Sequence, residues 1–160
     1  MRWGVIACVV MLAGSASAQD WGLNVAGSES LGLDDGVEHL GFYPCVVVSY
    51  TFKMGEVAIS PGLGVEWAAG GDFWGFMATV AADYPITESF GVDGIVAFVH
   101  DQRRGDWAHA GYYAGLGPGV SWFVTSRVTV TPNVLLFRGL NDDAAAWALG
   151  PGVNIWVLLN

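Results

Sequence analysis

The sequence predicts an all-β fold: an eight-stranded antiparallel up-and-down barrel that spans a membrane. Three observations carry that expectation: a depleted charge content, apolar residues that alternate with small ones along most of the chain, and aromatic residues paired ten positions apart. Charged residues are 13% of the 160 positions, against roughly 25% in a soluble domain. Apolar residues are 53% and glycine supplies 23 positions. A chain so poor in charge has difficulty covering a globule with polar groups, while its apolar and aromatic content excludes disorder.

The N-terminus reads differently from the rest. Met1-Arg2 is followed by an apolar run from Trp3 to Leu12 and by Ser15-Ala16-Ser17-Ala18 before Gln19-Asp20. One positive charge, a short apolar core and an Ala-x-Ala site form a Sec-type signal peptide, cut after Ala18. The run is well short of the ~20 residues a spanning helix needs. Residues 1–18 are thus expected to be a signal peptide and residues 19–160 a single barrel domain. The cut removes Cys8 and leaves Cys45 alone, so no intramolecular disulfide or cysteine-based metal site is expected. It also takes Arg2 from the six basic residues, leaving five against 15 acidic ones. Nucleic acid is excluded as a partner on that ground, because phosphate binding needs a basic surface.

Period 2 organises the apolar residues after Gln19. The first strand is short, with Trp21, Leu23 and Val25 over 20–27. The second carries Phe42, Val46, Val48, Tyr50 and Phe52 over 42–52. In the third, over 56–68, Val57, Ile59, Leu63, Val65 and Trp67 alternate with Glu56, Ala58, Ser60, Gly62, Gly64 and Glu66. The fourth (73–84) has Trp74, Phe76, Val80 and Tyr84; the fifth (90–101) has Phe90, Val92, Val96 and Phe98. The sixth (109–124) has Tyr112, Leu116, Val120 and Trp122, and the seventh (127–138) has Val128, Val130, Val134 and Leu136. The eighth (146–159) has Trp147, Leu149, Val153, Ile155 and Val157. Long links at 28–41, 69–72, 102–108 and 139–145 alternate with tight ones at 53–55, 85–89 and 125–126. An even strand number, with short turns at one end and longer loops at the other, is the layout of an outer-membrane barrel. A helix over Trp107 to Ser126 is rejected, since Gly111, Gly115, Gly117, Pro118 and Gly119 together cost it several kcal/mol.

Composition also says which face points outward. A soluble ligand-binding barrel of the lipocalin kind would turn its apolar face in and its charge out. Here the minor face is mostly Gly, Ala, Ser and Thr, with acids only at Glu56, Glu66, Asp83, Asp93 and Asp101. The bulky face has no charge before His100 and Arg138 at the strand ends. A basic residue at the bilayer midplane costs about 2–4 kcal/mol, so that absence is what a lipid-facing surface requires. Phe42 and Phe52, Trp74 and Tyr84, and Tyr112 and Trp122 lie ten apart within their strands. At about 3.3 Å per residue and a tilt of about 40°, that spacing covers roughly 25 Å, the height of the apolar band. Two aromatic girdles follow: Phe42, Trp67, Trp74, Phe98, Tyr112 and Trp147 at the loop end, and Trp21, Tyr50, Phe52, Tyr84, Phe90 and Trp122 at the turn end.

On this pattern the chain resembles the small eight-stranded outer-membrane barrel proteins, such as the OmpX-like proteins and the OmpA transmembrane domain. The likeness covers nearly all of 19–160 and is one of architecture; Thr87 to Phe90 and Thr125 to Val128 are similar to the tight periplasmic turns of that group. It implies a bacterial outer-membrane location after export, and contact with outer-membrane lipid. Two features depart from it. The chain ends Trp156-Val157-Leu158-Leu159-Asn160 rather than on an aromatic residue. Pro61, Pro118, Pro132 and Pro151 fall inside strands, where each removes a ladder donor; the recurrent Pro-Gly at 61, 118 and 151 predicts bulges or kinks there.

Functional expectations follow from the lumen and the loops. Eight strands leave an interior just wide enough for side chains, and Tyr113, Phe123, Leu135, Phe137 and Trp156 are expected to fill much of it. A structural, adhesive or interaction role for a monomer is the leading reading; a narrow pore, a lipid A-modifying enzyme and a soluble ligand-binding barrel are the alternatives. Glu56, Asp83 and Asp93 should lie at the turn ends of strands three to five, close enough to hold a cation, unless water with Lys53 and Arg127 satisfies them. An enzyme would draw on His39, His100 and His109 with Asp101, Asp106 and Ser28 or Ser30, but no compact His-x-Ser pair occurs. No catalytic residue, cofactor or metal is assigned. Loop 28–41, with Glu29, Asp34, Asp35 and Glu38, is the expected surface for an external partner.

Overall fold

A computed structural model describes residues 17–33, 38–69, 73–103, 110–141 and 147–159, with the side chains at 17–19, 38–40, 73 and 102–103 outside the description. Eight strands follow in chain order: β1 (Ser17–Gly32), β2 (Glu38–Met54), β3 (Val57–Trp67), β4 (Phe73–Pro85), β5 (Phe90–Arg103), β6 (Ala110–Phe123), β7 (Val128–Gly139) and β8 (Trp147–Leu159). Each pairs antiparallel with its sequence neighbour, and β8 returns to β1, so the sheet closes on itself. Among the described residues no helix is long and apolar enough to cross a membrane. The barrel crosses with strands, which closure makes feasible: no ladder edge is left to face lipid.

The registers fix the tilt. Leu23 pairs with Val48, Val48 with Leu63, Leu63 with Ala78, Ala78 with Phe98, Phe98 with Ala114, Ala114 with Arg138, and Arg138 with Trp147. Trp147 then meets Leu33, whose amide donates to its carbonyl at 3.0 Å, so one circuit climbs ten residues along β1. A stagger of that size in eight strands inclines them by about 40° to the barrel axis.

The alternating pattern dictates the two faces. Leu63 is 71% exposed on the outside, with Val96, Leu116 and Val120 around the same band, while Val47, Ala97, Ser121 and Thr131 on the opposite phase are buried. The tight connections have local causes. Gly55 takes φ +64°, a left-handed conformation that turns β2 into β3. Thr87 Oγ1 accepts from the Ser89 and Phe90 amides, and Thr125 Oγ1 accepts from Arg127 and Val128 in the same way. Each hydroxyl stands in for a backbone acceptor and closes its hairpin.

Two expectations are corrected. The expected loop 28–41 is strand at both its ends, with residues 34–37 outside the description: the ladder runs on through Ser28 with Tyr43, Glu29 with Phe42, Ser30 with Gly41, Leu31 with His39 and Gly32 with Glu38. Its polar residues hid a strand because this part of the hairpin lies past the last outward aromatic, Phe42, where neither face needs to be apolar. A register shift between Ser30 and Leu31 marks a bulge there, beside Gly41 at φ +138°. The second correction concerns the prolines. Registers pass Pro61, Pro118, Pro132 and Pro151 without a shift, so no bulge forms at any of them. Each leaves a gap on one side only: Pro61 toward β2, Pro118 toward β7, Pro132 toward β6 and Pro151 toward β1. On its other side each remains in a continuous ladder, which holds the strand in place.

Candidate functional site

The lumen is the candidate site, and its middle is closed. Val47, Ile95 and Ala97 are buried there, as are Asn24, Ser49, Ser121, Thr131 and Asn133. The glycines of the inward phase make room for this filling. A Cβ on Gly64 would strike the Val46 carbonyl, and one on Gly62 would lie 2.6 Å from Val47 Cγ1. The wall can therefore approach itself closely enough for small side chains to plug the waist. Four of the five large residues expected to fill the lumen line its two ends: Tyr113 and Phe137 the loop end, Phe123 and Trp156 the turn end.

Two cavities flank the waist. At the loop end a cavity of about 60 Å³ is lined by Ser28, Ser30, Tyr43, Glu66, Asp101 and Tyr113. At the turn end a cavity of about 650 Å³ is lined by Asp20, Lys53, Glu56, Asp83, Glu88 and Arg127, among others. The three acids singled out in the sequence separate here. Asp83 and Asp93 are directly opposite each other across the β4–β5 ladder. Ser121 Oγ donates to Asp83 Oδ1 and lies 3.2 Å from Thr131 Oγ1. Glu56, by contrast, sits in the β2–β3 turn, where its Oε2 accepts from the Tyr84 hydroxyl at 3.1 Å. Tyr84 faces outward, so this contact draws Glu56 to the rim and away from the Asp pair. Among the described residues no group of three or more His, Cys, Asp or Glu side chains gathers to hold a metal.

Among the described residues the histidine reading finds no geometry in its favour. His100 shares the outward phase with Phe98, and its ring lies 4.9 Å from that of Tyr112 and 6.5 Å from that of Phe76. Ser28, Ser30 and Asp101 line the lumen instead, so the barrel wall stands between that imidazole and those hydroxyls. His109 and Asp106 lie outside the described residues, as does the side chain of His39. Cys45 is a buried free thiol on the inward phase.

The aromatics expected as girdles are placed as follows. Trp21, Phe42, Trp67, Tyr84, Phe90, Tyr112, Trp122 and Trp147 are exposed, and Tyr50 and Trp74 are half-buried. Trp21 and Tyr50, paired across β1 and β2, contact edge to face at 5.2 Å. Phe52 departs from this: it shares the phase of Tyr50 yet is 2% exposed, between its ladder partners Gln19 and Ile59.

A closed eight-stranded wall, bulky and apolar outside, small and polar inside, with tight turns at one end, is the architecture of the small outer-membrane β-barrels. Among solved structures, the chain is similar to Neisserial surface protein A, at a TM-score of 0.60 and 11% identity, over 89% of this chain and 100% of that one. It is likewise similar to Ail, the attachment invasion locus protein of Yersinia pestis, at a TM-score of 0.57 and 8% identity, over 88% and 96% of the two chains. A structure of Ail with the heparin analogue sucrose octasulfate aligns at a TM-score of 0.51 and 7% identity, over 89% and 99%. No protein-family model and no curated protein matches the sequence. The likeness is one of fold, carried by strand number, register and phase rather than by shared residues.

Proposed function

We propose that residues 19–160, released from a Sec-type signal peptide at 1–18, form a monomeric bacterial outer-membrane barrel that acts as a scaffold for an external contact. The plugged waist is the observation that supports this over a channel: Ile95 is 4% exposed and Ser121 and Thr131 are fully buried in the middle of the lumen. A wall that carries nothing through itself acts through what it presents. The β1–β2 hairpin is the feature it presents, since its ladder continues beyond Phe42 to the Gly32–Glu38 pair. The two similar fold neighbours are a surface protein and an attachment protein, which fits an adhesive or interaction role.

Charge narrows the partner. Glu29 and Glu38 stand on this hairpin, with Asp34 and Asp35 between them in the sequence, on a chain of formal net charge −9. Such a tip repels polyanions and attracts cationic surfaces. A sulfated ligand of the kind bound to Ail is therefore not the expected partner here.

The test has two stages. Membrane fractionation and heat-modifiable gel migration should place the folded chain in the outer membrane; recovery in the soluble fraction would end the reading. Cells displaying the barrel should then adhere to a polylysine-coated surface more than to a heparin-coated one. Charge-neutral substitution of Glu29, Asp34, Asp35 and Glu38 should abolish the difference.

A further inference from the structure

The inward phase of the barrel carries several buried polar groups without a side-chain partner. Asp93 is 4% exposed, and no side chain hydrogen-bonds to either of its carboxylate oxygens, which only the backbone amides of Ala82 and Gly94 approach. Asn24 Oδ1, Ser49 Oγ, Thr79 Oγ1 and Trp156 Nε1 are also buried without a hydrogen-bond partner. Asn24 and Ser49 are 4% and 1% exposed. All five residues lie on the inward phase, and Asn24 stands directly opposite Trp156 in the β1–β8 ladder. Buried polar groups in folded proteins are satisfied by protein, water or an ion in the great majority of cases. So many open positions on the inward phase point to a polar occupant.

Electrostatics says what kind. Asp83 and Asp93 face each other in the ladder, a pairing in which like charges directly opposite destabilise the sheet. Lys53 and Arg127 line the turn-end cavity together with Asp83 but not with Asp93. Oxygen-bearing side chains stand beside the pair. Ser121 bonds Asp83 and adjoins Thr131. Thr131 and Asn133 of β7 lean over Gly119, the ladder partner of Asp93: their Cγ2 and Cβ lie 2.8 and 3.2 Å from where a Gly119 Cβ would stand. Two carboxylates with hydroxyl, carboxamide and water oxygens form the ligand set of a hard divalent cation. The 650 Å³ cavity lined by Asp83 opens the way to them from the turn end.

We propose that the Asp83–Asp93 pair, with Ser121 and Thr131 beside it, holds a hydrated calcium-class divalent cation inside the barrel wall. The ion cancels the repulsion between β4 and β5 and orders the polar layer that plugs the waist. Two carboxylates rather than three or four place the affinity in the weak range of extracellular sites, about 0.1–1 mM. This inference is separate from the adhesive reading and requires only the folded barrel.

The test uses the mature chain folded in detergent, its folding verified by heat-modifiable migration. Tb³⁺ titration with excitation of tryptophan reads the site directly, because Trp156 lines the same turn-end cavity as Asp83. The expected result is a saturable luminescence that Ca²⁺ competes away, with affinity about tenfold or more weaker in Asp93→Asn and unchanged in Glu56→Gln and Glu88→Gln. The urea midpoint of the unsubstituted chain should rise with Ca²⁺ and fall back with EDTA, a measurement that stands even if Asp93→Asn fails to fold. Absence of saturable luminescence, a signal that survives Asp93→Asn but is lost in the rim variants, or a urea midpoint that responds to acid and not to Ca²⁺ would each overturn the proposal. The last result would assign a shared proton to the pair instead.

Discussion

The guanidinium of Arg138 lies over the indole of Trp147, 4.8 Å from the ring centroid, and the two residues are ladder partners at the loop-side ends of β7 and β8. This places a permanent charge on the lipid-facing phase only where the strand leaves the apolar band, with an aromatic face beneath it and its stem free to reach toward the headgroups. Depth therefore decides what a charge costs. Arg138→Ala should lower stability by no more than about 1 kcal/mol, the worth of an exposed cation–π contact. Leu63→Arg, near the middle of β3 and 71% exposed on the same surface, should cost about 2–4 kcal/mol. Urea unfolding in phospholipid vesicles measures both; equal costs would mean that the outward phase does not face acyl chains.

Close approach of strands makes some glycines irreplaceable and leaves others free. A Cβ on Gly117 would run into the Val134 carbonyl and come within 2.9 Å of Leu135 Cα, both backbone. Gly117→Ala should destabilise the barrel by about 1–3 kcal/mol, as overpacking does elsewhere. A Cβ on Gly94 would meet nothing within 4 Å, so Gly94→Ala should be neutral or stabilise by about 0.4–1 kcal/mol through the unfolded chain. The same urea titration ranks the pair.

Pro118 and Pro132 both leave their gap in the β6–β7 ladder, where the positions opposite Val134 and Val120 lack a registered pair. The β5–β6 ladder beside it is continuous from Phe90 with Trp122 to Gln102 with Ala110. Hydrogen exchange in detergent should show the described amides of β7 least protected toward β6, and the β5–β6 amides most protected. Pro132→Ala should restore a donor and raise stability by about 0.5–1.5 kcal/mol; no gain would mean the gap is already satisfied from the lumen.

Much of this fold is legible in period-2 alternation, because lipid outside and a narrow lumen inside impose opposite demands on successive residues. Leu63 and Gly64, or Leu116 and Gly117, show both demands in adjacent positions. The alternation fails where the membrane ends: Ser28 to Gly32 pair as strand although Leu31 is their one large apolar residue, too little hydrophobic pattern to reveal it. The prolines mislead for another reason. A ladder with two sides keeps its register when one side loses a donor, so a residue that breaks a hairpin leaves a closed barrel intact. Within the candidate site, Asp83 and Asp93 are placed together by their shared phase and strand adjacency. Glu56 is not, because one residue decides whether it belongs to β3 or to the turn, and in the turn it reaches Tyr84. The plug of small residues was illegible: Ser121, Thr131 and Val47 are unremarkable in sequence, and only the close approach at glycines makes them sufficient to fill a waist.

That plug has an electrical consequence. Conduction through an eight-stranded wall needs a continuous water column, and the inward side chains from Val47 to Thr131 interrupt it between the 60 Å³ and 650 Å³ cavities. In planar bilayers the folded chain should give no steady ohmic current at moderate salt. Glycine replacement of Ile95, which is 4% exposed and the bulkiest apolar group of the waist beside Val47, should lower the barrier without disturbing the ladder on either side. Brief openings in Ile95→Gly against a silent parent would locate the closure at the waist. Steady conductance in the parent would mean that the polar layer admits a hydrated path, and the barrel would then be a narrow pore.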